Sequence, residues 1–129
     1  MADPLHVELV AADRTVWSGE ASIVITRTAD GDIGVLSGHA PLLAVLAEGT
    51  VEIRTPDGDY VVAAVDGGFL SVANNRISIL AENGELASEI NVAEAKSELE
   101  RVRAGDGDEV DEAAVRAAEA RVRAAEKAS

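Results

Sequence analysis

The chain has no cysteine, two histidines, three prolines, and one each of tryptophan, tyrosine and phenylalanine among its 129 residues. Without cysteine there is no disulfide framework and no thiolate nucleophile, and two histidines without thiols argue against a closed zinc site. Positive charge is scarce as well: Lys and Arg number 11 against 24 Asp and Glu, a net charge of −13. A nucleic-acid binder needs a basic face that releases phosphate counterions, so nucleic acid is excluded as a partner. Anionic lipid surfaces repel such a chain for the same reason. No apolar run reaches the roughly 18 residues of a membrane span, and the opening MADPLHVE is not that of a signal peptide. These absences predict a soluble, intracellular protein with no direct lipid insertion and no catalysis of its own. The residues that are present, 47 % apolar and 27 % charged, are those of an ordinary globular chain rather than a disordered one. The length suits one domain, or one domain with an appendage.

The organisation changes near Glu85. Before it, apolar residues alternate with polar ones: Leu5, Val7 and Leu9 face one way, His6 and Glu8 the other, the period of a half-buried strand. Asp13-Arg14 turns the chain, and Val16-Trp17-Ser18 forms a short strand ended by Gly19. Ser22 to Thr26 is β-branched and strand-forming, Asp30-Gly31 turns again, and Ile33 to Leu36 follows. Thr55-Pro56-Asp57-Gly58 links strands at Thr50–Arg54 and Tyr60–Val65, since proline presets φ and glycine accepts a positive φ without steric cost. Gly67-Gly68 marks a bend, Asn74-Asn75 a tight turn, and Arg76 to Leu80 the last strand. Short strands with closely spaced turns predict an N-terminal antiparallel β-sandwich, or flattened barrel, over residues 1–84.

Residues 85–129 follow a helical period. Ser88 or Asn91 caps a first helix whose stripe is Val92, Ala95, Leu99 and Val102. Gly105-Asp106-Gly107 stops it. Asp108 or Asp111 starts a second helix, with a stripe of Val115, Ala118, Val122 and Ala125. Glu112–Arg116 and Glu119–Arg123 have the favourable i,i+4 order. A short link folds the two helices into a C-terminal antiparallel hairpin. Both stripes are narrow and the second is half alanine, so the hairpin is expected to dock weakly and to be mobile.

Chemistry is sparse. Gly31-Asp32-Ile33-Gly34-Val35-Leu36-Ser37-Gly38-His39 is glycine-rich, but it lacks the Gly-Lys-Ser/Thr of a phosphate loop and the spacing of a dinucleotide turn. Ser37 and His39 form a candidate nucleophile and base, though without an orienting acid or oxyanion hole. Asp30, Asp32, Asp57 and Asp59 are expected to be side-chain turn formers rather than calcium ligands. Asp106 to Glu112 reads as a solvated helix start, and Trp17 and Phe69 as core. No metal site and no cofactor is expected. One feature points to a partner: Gly38 to Leu46 is a long apolar run behind a Gly-His-Ala-Pro turn, and such a run exposed as a patch marks a protein interface.

Three segments carry a family resemblance. Val16-Trp17-Ser18-Gly19-Glu20-Ala21, the stretch TADGDIGVLSGHAPLLAVL from Thr28 to Leu46, and Val65-Asp66-Gly67-Gly68-Phe69-Leu70 followed by Ile77-Ser78-Ile79-Leu80-Ala81 resemble the epsilon subunit of bacterial F-type ATP synthase over the full chain. The resemblance implies a non-catalytic rotor subunit in the central stalk of a proton-translocating synthase, peripheral on the cytoplasmic face of the cell membrane. It implies a c-ring contact at Gly31, Asp32 and Ile33, and a gamma-subunit contact at His39, Ala40, Pro41 and Leu42. It further implies a hairpin able to reach the catalytic alpha and beta subunits and inhibit hydrolysis, with Arg116, Arg121, Arg123 and Lys127 as its basic contacts. Family members that bind ATP use an Ile/Leu-Asp-x-x-Arg-Ala motif, here Ile90-Asn91-Val92-Ala93-Glu94-Ala95. Asparagine for aspartate and glutamate for arginine predict weak or absent nucleotide binding. The rival readings are a small β-sandwich enzyme built on Ser37 and His39, and a free-standing nucleotide sensor.

Overall fold

The computed structural model describes residues 3–105 and 110–128. Eight strands come first: β1 (Leu5–Ala11), β2 (Arg14–Ala21), β3 (Ile23–Thr28), β4 (Gly31–Leu36), β5 (Leu42–Arg54), β6 (Tyr60–Ala73), β7 (Arg76–Leu80) and β8 (Gly84–Leu86). A 3-10 turn at Ala87–Glu89 leads to helices α1 (Val92–Ala104) and α2 (Glu112–Ala128). The expected sandwich followed by a helical hairpin is therefore present. Asp108, one of the two candidate caps, and the Asp106–Glu109 part of the acidic stretch lie outside the described residues.

The strands run in the order β2-β1-β7-β6-β5-β3-β4, with β8 added on β6. All neighbours are antiparallel except β1 and β7, so the sheet is mixed at that one pairing. The two long strands build both layers. The first part of β5 pairs with the second part of β6, Leu42 opposite Val72 and Val45 opposite Phe69. The remainder of β5 also pairs with β3. The changeover lies at Gly67 and Gly68, whose φ values are 108° and 130°. A Cβ on Gly68 would stand 1.9 Å from the Leu80 carbonyl oxygen, so only glycine permits that approach. The phase of the core alternation changes there. Leu42, Ala44 and Leu46 face the core on one side of it, and Val51 and Ile53 on the other.

Several boundaries differ from the sequence expectation, each for a local reason. Gly19 does not end β2: it lies beneath the Trp17 indole, where a Cβ would be 2.9 Å from the ring. The apolar run and Thr50–Arg54 are one strand, and β8 extends the sheet past Leu80. In the turns, threonines rather than aspartates make the side-chain bonds. Thr28 Oγ1 accepts from the Asp30 amide at 3.1 Å and Thr55 Oγ1 from the Asp59 amide at 3.0 Å.

The main core lies between the layers, built from Leu5, Val7, Leu9, Val24, Val35, Val51, Ile53, Leu70, Val72, Ile77 and Ile79, with Trp17 packed at its margin. A second, smaller cluster joins Val62 and Ala64 of β6 to Ala87, Ile90, Ala95, Ala120, Ala124 and Ala125. Here α2 lies across β5 and β6, and α1 packs on α2. Asn91 caps α1, its Oδ1 accepting from the Glu94 amide at 3.0 Å. Asp111 caps α2, accepting from the amides of Ala113 and Ala114. Val92, expected in the buried stripe, is 37 % exposed.

Candidate partner-binding surfaces

The outer face of the layer opposite the helices carries an apolar patch. Val45 on β5, Phe69 on β6 and Leu80 on β7 are direct cross-strand neighbours. All three point to solvent, 55 %, 55 % and 53 % exposed, and Leu43, two residues before Val45, is 75 % exposed. Half-buried Val10 of β1 continues the row beside Leu80. Exposed apolar side chains set side by side on a flat sheet cost free energy in water and fit a protein partner. Phe69 is therefore a surface residue, not the core residue the sequence suggested. The alternation Leu43, Val45 was visible in the sequence, but Phe69 and Leu80 joined it only once the strands were in register.

The Gly-His-Ala-Pro turn begins this patch. Gly38 (φ 83°) donates its amide to Asn75 Oδ1 at 2.8 Å, tying the turn to the β6–β7 turn. His39 is half-buried, with Nδ1 2.7 Å from the Ala40 carbonyl oxygen, which accepts its proton. Ala40 and Pro41 are exposed, whereas Leu42 turns inward against the core.

Gly31, Asp32 and Ile33 open β4, just after a β3–β4 turn that lies against β5, the Ala29 amide donating to the Val45 carbonyl at 3.0 Å. Gly31 and Asp32 are exposed and Ile33 packs partly on the core. Arg27 Nε donates to Asp32 Oδ1 at 3.0 Å across the β3–β4 pair. This bond lowers the Asp32 pKa, with the Arg27 charge as the next cause. The Asp32 carboxylate thus stays ionised beside Arg27. Among the described residues no group of three or more His, Asp or Glu is placed to hold a metal ion.

The four basic residues of α2 all face the sheet domain. Arg116 Nε lies 3.1 Å from Glu48, Arg121 Nε 3.0 Å from Glu85, and Lys127 Nζ 3.1 Å from Glu52. Arg123 stands with Lys127, Arg27 and Asp32 around one groove. Arg116 therefore reaches Glu48 rather than back to Glu112, and Glu119 meets Arg103 of α1 at 4.0 Å. The bond from Arg116 lowers the Glu48 pKa. Glu52 also accepts from the Tyr60 hydroxyl, and burial, followed by that bond, pushes Tyr60 up to about 12. At the start of α1, Ile90 and Ala95 are buried, Asn91 serves as the helix cap, and Glu94 is exposed.

The chain as a whole is similar to known proteins in sequence and in fold. Residues 4–87 match the family described as ATP synthase, Delta/Epsilon chain, beta-sandwich domain. The chain is 60 % identical to an ATP synthase epsilon chain of Streptomyces avermitilis, over 96 % of this chain and 97 % of that one. It is 50 % identical to one of Rhodococcus opacus over 96 % and 98 %. A chain in the Euglena gracilis mitochondrial ATP synthase OSCP/F1/c-ring structure superposes with a TM-score of 0.73 at 25 % identity, covering 95 % of this chain and 78 % of that one. A chain in the Tetrahymena thermophila mitochondrial ATP synthase central stalk/c-ring structure superposes with a TM-score of 0.63 at 17 % identity, over 98 % and 97 %.

Proposed function

The chain belongs to the ATP synthase delta/epsilon chain family, and on that premise we propose that it is a non-catalytic rotor subunit of the central stalk. Its sandwich couples a c-ring to the catalytic head through the gamma subunit. The observation that carries this reading is the exposed row Val45, Phe69 and Leu80 with Leu43 beside it. A shaft subunit must be gripped so that torque does not peel it away, and a desolvated apolar anchor on a rigid sheet supplies that grip. We assign the gamma contact to this row together with the exposed Ala40 and Pro41 and the His39 turn. Asp32, ionised on β4 with Gly31 and Ile33 beside it, suits polar or basic loops of a c-ring. Among the described residues no helix is long and apolar enough to cross a membrane, so attachment to the cytoplasmic face is read as indirect, through the c-ring.

The hairpin is read as a brake on hydrolysis. Arg116, Arg121, Arg123 and Lys127 would meet acidic surfaces of alpha and beta subunits once they leave the sheet. Nucleotide control of that brake is not part of this reading. Asn91 is occupied in capping, and exposed Glu94 would repel a triphosphate.

The test is ATP hydrolysis by the soluble ATPase complex of the same organism, stripped of this chain and then reconstituted. Full-length chain is compared with a form ending at Ile90. The reading expects both to bind gamma and only the full chain to suppress hydrolysis. Failure of both forms to join the complex overturns the rotor assignment, failure of the shortened form alone overturns the sandwich as its anchor, and binding of both without suppression overturns the brake.

A further inference from the structure

The surface between α2 and the sheet is poor in apolar volume. On the helix side, the buried side chains clustered with Val62 and Ala64 of the sheet are Ala120, Ala124 and Ala125, and alanine buries little area at about 25 cal/mol per Å². What spans the surface instead is charge. Arg116, Arg121 and Lys127 succeed one another along roughly 16 Å of helix, and each meets a glutamate of β5 or β8 at 3.0–3.1 Å. Glu48 and Glu52 are only 20 % and 17 % exposed at the side chain under their partners.

The linker is held differently. Arg14, at the start of β2, donates to both Glu89 carboxylate oxygens at 3.0 and 2.7 Å and to the Gly84 carbonyl at 3.3 Å. Glu89 in turn accepts from the Leu86 amide at 3.0 Å. Residues 84–89 are thereby fastened to the sandwich. Beyond Ile90 the next polar contact, from the Asn91 side chain, lies within α1 itself.

We propose that α2 is held on the sheet by an electrostatic strap, Arg116–Glu48, Arg121–Glu85 and Lys127–Glu52, that opens as ionic strength rises. The hairpin then leaves as a unit, pivoting at Ile90–Asn91, while the eight strands and the Arg14 clamp stay in place. Salt is the lever because partly exposed ion pairs are screened within a Debye length, about 10 Å at 0.1 M, whereas the buried sheet core is not. This deepens the brake assigned above by naming what holds it off, yet it is tested on the isolated chain.

The experiment is amide hydrogen exchange at about 0.05 M and about 0.5 M NaCl, with the β5 and β6 amides as the internal reference. Each exposed pair is worth about two- to fivefold. Protection of the α2 amides should therefore fall roughly tenfold or more relative to the sheet, while residues 84–89 keep sheet-like protection. The triple variant Glu48→Gln, Glu52→Gln, Glu85→Gln should show the low protection already at low salt, with a flat salt response. Exchanging one pair, Glu48→Arg with Arg116→Glu, should restore both protection and salt sensitivity, which a merely structural role for Glu48 would not do. Salt-independent protection of α2, or loss of protection in step with β5 and β6, overturns the strap. A strap that fails while the chain still joins the ATPase complex leaves the rotor reading standing. A strap that opens in a chain that never joins the complex sinks the rotor reading alone.

Discussion

Truncating Phe69 should weaken binding to the gamma subunit by one to two orders of magnitude. The ring is 55 % exposed in the free chain, and a phenylalanine presents about 200 Å². Full coverage by a partner would remove about 110 Å² from water, worth about 2.7 kcal/mol at 25 cal/mol per Å². That corresponds to roughly 100-fold in Kd, and half coverage to roughly tenfold. The rest of the ring packs on its own sheet, so Phe69→Ala also lowers stability, by about 1–2 kcal/mol on the same coefficient. Leu43→Ala separates the two effects. At 75 % exposure its side chain contributes little to the fold and most of its surface to a partner, so binding should fall about tenfold with the unfolding midpoint nearly unchanged. Titration calorimetry with purified gamma subunit, alongside urea denaturation of each variant, reads both quantities. If both variants bind within twofold of the wild type, the apolar row is not the gamma contact.

Gly68→Ala should cost about 3 kcal/mol or prevent folding, through a positive φ and a Cβ driven into the Leu80 carbonyl; denaturant midpoints check this, with Gly58→Ala, whose Cβ meets open space, as the milder comparison. Glu89 carries a pKa lowered to about 2 from 4.5, first by the hydrogen bond from Arg14. A depressed carboxylate stabilises the fold above its unfolded value and loses that contribution as pH falls from about 4.5 to 2. Wild type should therefore lose stability relative to Glu89→Gln across that window, and parallel pH curves would refute the clamp. Calorimetry of ATP against the free chain should show no submillimolar binding, and Glu94→Arg with Asn91→Asp should strengthen whatever signal exists.

What could be read from the residues alone depended on whether a signal was local. The Thr55–Gly58 turn, the Asn91 and Asp111 caps and the antiparallel helices rest on short-range chemistry, and the structure contains them all. The long strands were split at their centres because alternation changes phase between Leu46 and Val51, and a two-residue period broken by one step imitates two strands. Strand β8 was missed because Gly84-Glu85-Leu86 has no alternation of its own and becomes a strand only by pairing with Ala63, Ala64 and Val65. The candidate surface was half legible. Leu43 and Val45 announced themselves in the apolar run, but Phe69 and Leu80 reach them through registers that follow from the close approach of Gly68 to Leu80. The partners of Arg116, Arg121 and Lys127 lie 36 to 75 residues away in the chain, beyond any pattern along one helix, and the i,i+4 expectation for Arg116 lost to one of them.

The kink at Gly67-Gly68 has a mechanical side. In a sandwich assembled from separate sheets, a twisting load can slide one layer over the other against side-chain packing alone. Here β5 and β6 run through both layers, so such shear must bend continuous covalent backbone and its ladder of hydrogen bonds. The face bearing Phe69 and the face beneath α2 belong to the same two strands, one on either side of the kink. A couple applied at one is carried to the other along the chain itself, as along the ribs of a folded beam.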